Sequence, residues 1–313
     1  MSDKPYLLEN KNGKYTNVID EKLDTISNLK MINDAIFTDF DTDGDKDLIV
    51  VGAWMSITFY ENRDHKFYLK KVAGISDLNG WYQSITASDI DQDGDLDYLI
   101  GNWGKNNKFH PTKEKPLHIY ADYFDDNSSF DIALSKVSKT GDLLPVRGKE
   151  CSTQQTPYLG SKLKTFKEFA TASMCEIYGS EKLEKATHYR AHSFASILLK
   201  NTGNGQFEII KLPNEAQFSP TLGFEVADIN KDGYLDILGV GNVFDSEVET
   251  IRYDASKGYV LLGNKEGNFN FMKDTSYYNN KETKAIKKMT IEGTLHFVTL
   301  NKNERLHLLK IKK

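Results

Sequence analysis

The sequence predicts an all-β chain folded as a β-propeller, and three observations carry that prediction. Nine-residue acidic stretches recur, each running straight into a short apolar segment of β type. Units of strand, polar turn and strand recur beside them. The first two acidic stretches begin fifty residues apart, at Asp39 and Asp89, which is the period of a four-stranded blade.

The acidic stretches come first in the argument. One contains Asp39, Asp41, Asp43, Asp45 and Asp47; another Asp89, Asp91, Asp93, Asp95 and Asp97; a third Asp228, Asn230, Asp232, Tyr234 and Asp236. Oxygen donors at positions one, three and five, a glycine at six and a backbone carbonyl at seven are the pattern of a calcium loop, since that hard cation takes about six to eight oxygens. The helical version of such a loop closes with Glu at position twelve, where Val50, Ile100 and Gly239 stand here. A carboxylate at position nine and the strand that follows replace that ending. Asx turns also gather Asp and Gly, but five acidic residues in nine positions repel one another unless a counter-ion is present. Three Ca²⁺ sites are therefore expected.

The hairpins begin at Leu8, Tyr60, Leu199 and Leu262 and turn through Asn- or Gly-rich tetrads. A degenerate loop copy at 123–131 keeps Asp125, Asn127 and Asp131 but has Ser128 in place of the glycine, so it is either a fourth calcium site or a plain turn. From Leu159 to Ile177 apolar residues recur at three and four, which predicts an amphipathic helix ending at Gly179, with a second helix from Glu181 to His192. Residues 148–193 are thus expected as a helical insertion within propeller repeats covering 1–313. Two strands without an acidic loop, Thr290–Leu300 and Leu306–Ile311, close the chain. They either pair with a half-blade at Tyr6–Val18 to give about five blades, or the chain is the tail of a larger propeller.

Composition limits what else the chain can be. Hydrophobic residues make up 39% and aromatics 12%, as in a folded globular protein, and no apolar run reaches the length of a membrane span. The net charge is −5, yet the three loops hold thirteen of the 45 acids and two of the 40 bases, leaving +6 elsewhere. The acidity is local to the loops, and nothing in the balance suggests nucleic acid. The Lys281–Lys288 segment reads as a solvated loop. Cys151 and Cys175 lack metal spacing and are either buried free thiols or one disulfide. The N-terminus, Met1 to Tyr6, has no secretory signal. No GxSxG elbow, phosphate-cradling loop or HExxH occurs. His188 and His192 fall four apart on the expected second helix and lack a third ligand nearby.

The three loops with their Asn/Gly hairpins resemble FG-GAP or VCBS-type repeats of calcium-binding propellers. With Gly223–Asp228 and Glu247–Ser256, the chain is similar to the C-terminal propeller portion of the cartilage acidic protein and ASPIC/UnbV group, over roughly residues 30–313. The resemblance implies a non-catalytic interaction scaffold in an extracellular or cell-envelope setting, possible attachment to an upstream part of the same parent protein, and no catalytic residues to carry over. Two functions follow from the residues. One is a calcium-stabilised scaffold that binds a protein or glycan. The alternative is a propeller enzyme acting on carbohydrate at the channel mouth, for which Glu247, Glu249 and Asp254 are the carboxylates to watch. Trp54, Trp81, Trp103, Arg252, Tyr253 and Asp254 form the candidate ligand surface, since Trp54 and Trp103 follow Gly at equivalent strand ends. They either stack on a sugar or plug the channel as core.

Overall fold

Each apolar run that follows an acidic stretch is the second strand of a sheet. The computed structural model describes residues 5–25, 29–125, 129–246, 250–273 and 277–310. It comprises two units, Met1–Lys108 with Phe194–Lys313, and Phe109–Ser193.

The first unit carries four blades. A hairpin of β1 (Leu8–Lys11) and β2 (Lys14–Asn17) and one helical turn, α1 (Ile19–Lys22), precede them. Blade one is β3 (Met31–Thr38), β4 (Asp47–Met55), β5 (Thr58–Arg63) and β6 (Lys66–Lys70), antiparallel in that order, with β7 (Gly80–Trp81) pairing the far end of β4. Blade two begins with β8 (Ser84–Ser88) and β9 (Asp97–Gly101), and the chain then leaves for the second unit.

That unit holds β10 (Leu117–Asp122), β11 (Asp131–Val137), β12 (Leu143–Pro145), the helices α2 (Lys149–Gln155), α3 (Leu159–Lys162), α4 (Phe166–Thr171), α5 (Met174–Tyr178) and α6 (Ser180–Lys185), and β13 (Thr187–Ala191). The chain returns as β14 (Ile197–Asn201) and β15 (Phe207–Lys211), which complete blade two beside β9. Blade three is β16 (Thr221–Ala227), β17 (Asp236–Gly241), β18 (Tyr259–Gly263) and β19 (Phe269–Phe271). Blade four is β20 (Thr283–Ile291), β21 (Thr294–Asn301) and β22 (His307–Lys310). First strands neighbour one another, β3 with β8, β8 with β16 and β16 with β20, which is the radial repetition of a β-propeller.

The core lies between successive blades, which explains why the second strands are apolar on both faces. Ile49 and Val51 of β4 face a cluster shared with Tyr98, Ile100, Ile197 and Leu199 of blade two. Leu99 and Leu198 point the other way, toward Phe224, Ile237 and Leu261 of blade three. Leu238, Val240 and Val260 in turn meet Ile286 and Phe297 of blade four.

Several expectations change. The helices α2–α6 fall within 149–185, inside the expected 148–193 insertion, and the unit that holds them, Phe109–Ser193, also includes the strands around the degenerate loop. Its sheet runs β12-β11-β10-β13, with the fourth strand beside the first, unlike the meander of blades one to three. The expected long helix is three short ones. Thr165 with Glu168 and Ser173 with Glu176 form capping boxes, so each starts a new helix inside the periodic run. The second expected helix stops at Lys185, and His188 lies on strand β13. Among the described residues the chain ends do not share a blade: β1 pairs with β2, and β20–β22 form their own sheet. Glu292 and Gly293, both at positive φ, turn a hairpin inside the segment read as one strand. The lysine-rich 281–288 segment belongs mostly to β20, where Lys287 pairs with Glu225 and Lys288 donates to the Val226 carbonyl of blade three. Both cysteines are free, Cys151 half-buried and Cys175 exposed on α5.

The second unit has its own core, in which Tyr120 and Ala133 meet Leu159, Phe169, Met174, Ile177 and Leu183 from the helices. His118 of β10 is buried there, with its Nδ1 2.9 Å from His188 Nε2. Burial, reinforced by repulsion from His188, Arg190 and His192, pushes its pKa down to about 4. The folded ring stays neutral where the unfolded chain begins to bind a proton, near 6.5. This contribution to stability is therefore intact above that pH and drains as pH falls toward 4. An NMR titration of the full chain should place the His118 midpoint near 4, with amide protection of Leu117–Asp122 falling across the same window; a midpoint near the ordinary value would show a wet, unstrained ring.

Candidate metal loops and aromatic row

The three loops share one backbone course. Position four takes positive φ at Thr42, Gln92 and Lys231, and position six does so at Gly44, Gly94 and Gly233. The glycine N–H donates back to the first Asp in each, at 3.0 Å to Asp39, 3.1 Å to Asp89 and 3.0 Å to Asp228. Position two is an apolar anchor that the sequence reading passed over. Phe40 and Ile90 sink into the inter-blade clusters, and Ile229 packs against the next.

Position nine is buried in every copy. Asp47 Oδ2 accepts the Phe40 N–H and Oδ1 the Asn62 N–H; Asp97 does the same with Ile90 and Asn201, and Asp236 with Ile229 and Gly263. This carboxylate ties the start of the loop to the third strand of its blade. Burial still outweighs those hydrogen bonds and raises Asp47 and Asp97 to about 6.

At positions one, three and five the loops differ. In loop one, oxygens of Asp39, Asp41 and Asp43 converge within 4.8 Å of one another, and in loop two those of Asp89, Asp91 and Asp93 do the same. Asp39 Oδ1, Asp41 Oδ1, Asp89 Oδ1 and Asp91 Oδ1 are buried without a hydrogen-bond partner. Anionic oxygens buried without a donor suit a hard cation. In loop three, Asn230 Nδ2 donates to Asp232 Oδ2 at 2.8 Å and Asp228 Oδ1 accepts the Asp232 N–H, so the donors close on one another. At position seven, Asp45 and Tyr234 are exposed and Asp95 is half-buried. In the degenerate loop, Asp131 Oδ2 accepts the Phe124 N–H, Lys182 Nζ donates to the Phe124 carbonyl at 2.6 Å, and Asn127 lies outside the described residues.

Four of the six candidate surface residues form one row of rings. Trp54 and Trp81 centroids are 5.0 Å apart, Trp81 and Trp103 5.3 Å, and Trp103 and Tyr253 4.9 Å, each near edge-to-face. Trp54 and Tyr253 at the ends are buried, whereas Trp81 and Trp103 in the middle are half-exposed. Local backbone explains the placement. Trp54 occupies an irregular step of β4 at φ 62° between Ala53, which pairs with Trp81, and Met55, which pairs with Gly80. Asn102, fully buried, accepts the N–H groups of both Trp81 and Trp103 on Oδ1 and donates to the Ala195 carbonyl. Asn242 is its counterpart in blade three, bonded to Ser256 and Lys281. Arg252 lies instead over Phe244 and pairs with exposed Asp254 at 3.4 Å. Glu247 and Glu249 lie outside the described residues.

With this geometry in view, comparison gives one family finding. Residues 39–100 match the FG-GAP-like repeat. The match begins at the first position of loop one and ends in β9, so it spans loops one and two. No curated protein matches the chain. Among solved structures, an Agrocybe aegerita lectin that recognises non-reducing terminal N-acetylglucosamine is 12% identical, with 90% of this chain and 81% of that one covered and a TM-score of 0.22. At that degree of likeness, the site rests on its own geometry. No described helix is long and apolar enough to cross a membrane.

Proposed function

We propose that this chain is a calcium-stabilised β-propeller scaffold that binds a protein or glycan ligand and performs no chemistry. The observation that carries the reading is the aromatic row, whose buried ends hold two half-exposed indoles in place. Rings fixed by their neighbours lose little entropy when they stack on an apolar ligand face. Calcium in loops one and two, and in loop three with an amide donor, ties each blade turn to the next strand, so that binding energy becomes folding energy. The partnerless oxygens of Asp39, Asp41, Asp89 and Asp91 support it. The finer kinship, with the cartilage acidic protein and ASPIC/UnbV group, belongs to the same proposal, and with it an extracellular or cell-envelope location.

Immobilised glycans and candidate protein ligands, screened with the full chain in calcium, provide the test. Trp103→Ala should weaken any captured ligand about tenfold or more at unchanged calcium stoichiometry. Binding indifferent to both Trp81→Ala and Trp103→Ala would place the ligand elsewhere, and turnover of a captured glycan would replace the scaffold reading with an enzyme.

A further inference from the structure

One position separates the metal loops that the shared pattern makes look alike. The residue immediately before the N–H donor to the position-nine carboxylate is Glu61 in blade one, Lys200 in blade two and Leu262 in blade three. The same step of the third strand thus offers an anion, a cation and an apolar side chain to three otherwise similar loops.

In loop two the cation reaches the ligands. Lys200 Nζ lies 2.6 Å from Asp91 Oδ2, and both side chains are half-buried. In loop one, Glu61 faces the other way electrically. Its carboxylate is held by Arg63 and Lys70 at 2.9 and 2.8 Å.

Resting on the calcium reading above, we propose that Lys200 is a built-in cationic competitor that sets the calcium affinity of loop two below that of loop one. Metal-free, its ammonium neutralises part of the carboxylate cluster and keeps Asp91 in place. When a divalent ion enters, Asp91 either gives up the lysine, which costs the ion pair, or shares its two oxygens between them, which sets two cations at short range, and both routes oppose binding. Calcium loops are tuned over decades by ligand charge. The chain therefore fills in sequence, loop one before loop two, and blade two has a turn that stays ordered when calcium is scarce.

Calcium titration of the full chain by calorimetry, with Ca²⁺ as the sole added ion, tests this. Lys200→Met keeps the stem and removes the charge; one class of site should tighten about ten- to a hundredfold. Asp93→Asn in the same background should abolish that class. In chelator the Lys200→Met midpoint should fall below wild type, and in saturating calcium the difference should vanish or reverse. Lys200→Gln repeats the charge removal if the methionine variant folds poorly. Unchanged site affinities in both variants, or an equal loss of midpoint with and without calcium, would reduce Lys200 to an ordinary ion pair and overturn the inference while leaving the calcium reading standing. Wild type binding no Ca²⁺ would remove both together.

Discussion

On the proposed calcium reading, a chelator is expected to lower the thermal midpoint of the full chain by about 10 °C or more, and calorimetry in calcium is expected to find one ion for each of the three loops. A ligand at about a thousand times its Kd stabilises by about 4 kcal/mol, and each kcal/mol moves the midpoint of a domain this size by about 2–4 °C. The structural reason is the placement of the carboxylates. Loops one and two each hold three Asp residues whose oxygens come within 4.8 Å of one another, and two Asp oxygens per loop are buried without a donor. Without a cation, that arrangement repels itself while Phe40 and Ile90 pin it to the inter-blade core. Differential scanning calorimetry with and without chelator decides the matter; an unmoved midpoint and no bound ion would leave the loops as plain turns.

The second large effect is expected from a single methyl group. A Cβ on Gly241 would overlap the Pro220 carbonyl oxygen, and the nearest atoms are backbone, which cannot rotate away. Gly241→Ala should cost about 3 kcal/mol or more in urea unfolding. Gly101, the last residue of β9, and Gly52, within β4, likewise lie against backbone, the carbonyls of Thr221 and Met31. Gly223→Ala is the control: its Cβ would meet Ile286 at 3.5 Å, an ordinary contact, and should cost less than about 1 kcal/mol. Equal losses at both positions would mean that the strand ends are not the close-packed points of the blades.

These two cases also mark what was legible in the sequence. The spacing of Asp39, Asp89 and Asp228 revealed the repeat, and the run from acidic loop to apolar strand revealed the second strand of each blade, because those features are local. Gly52 and Gly101 stand out in the sequence only as the glycines before Trp54 and Trp103, and Gly241 does not stand out at all; their role depends on a backbone that lies far away in sequence. The helical periodicity of 159–177 was real, but Thr165 and Ser173 compete for the helix start, and capping won over period. The excursion from 109 was invisible because its strands look like blade strands, and only their pairing order sets them apart. Lys200 was silent for the same reason: nothing in its neighbourhood along the chain points to Asp91.

The excursion also sets a timetable. Asp97 closes its loop on the Asn201 N–H, 104 residues downstream, and β9 acquires its outer neighbour β14 only when the chain has returned. At synthesis rates of about 5–20 residues per second, blade two waits on the ribosome for about 5–20 s with one edge of β9 open. During that interval Phe109–Ser193 can assemble its own core, while blade one is already complete in the chain. The nascent protein is therefore most exposed to premature edge pairing halfway through its making, and a chain interrupted between Gly101 and Ile197 would keep that edge for good.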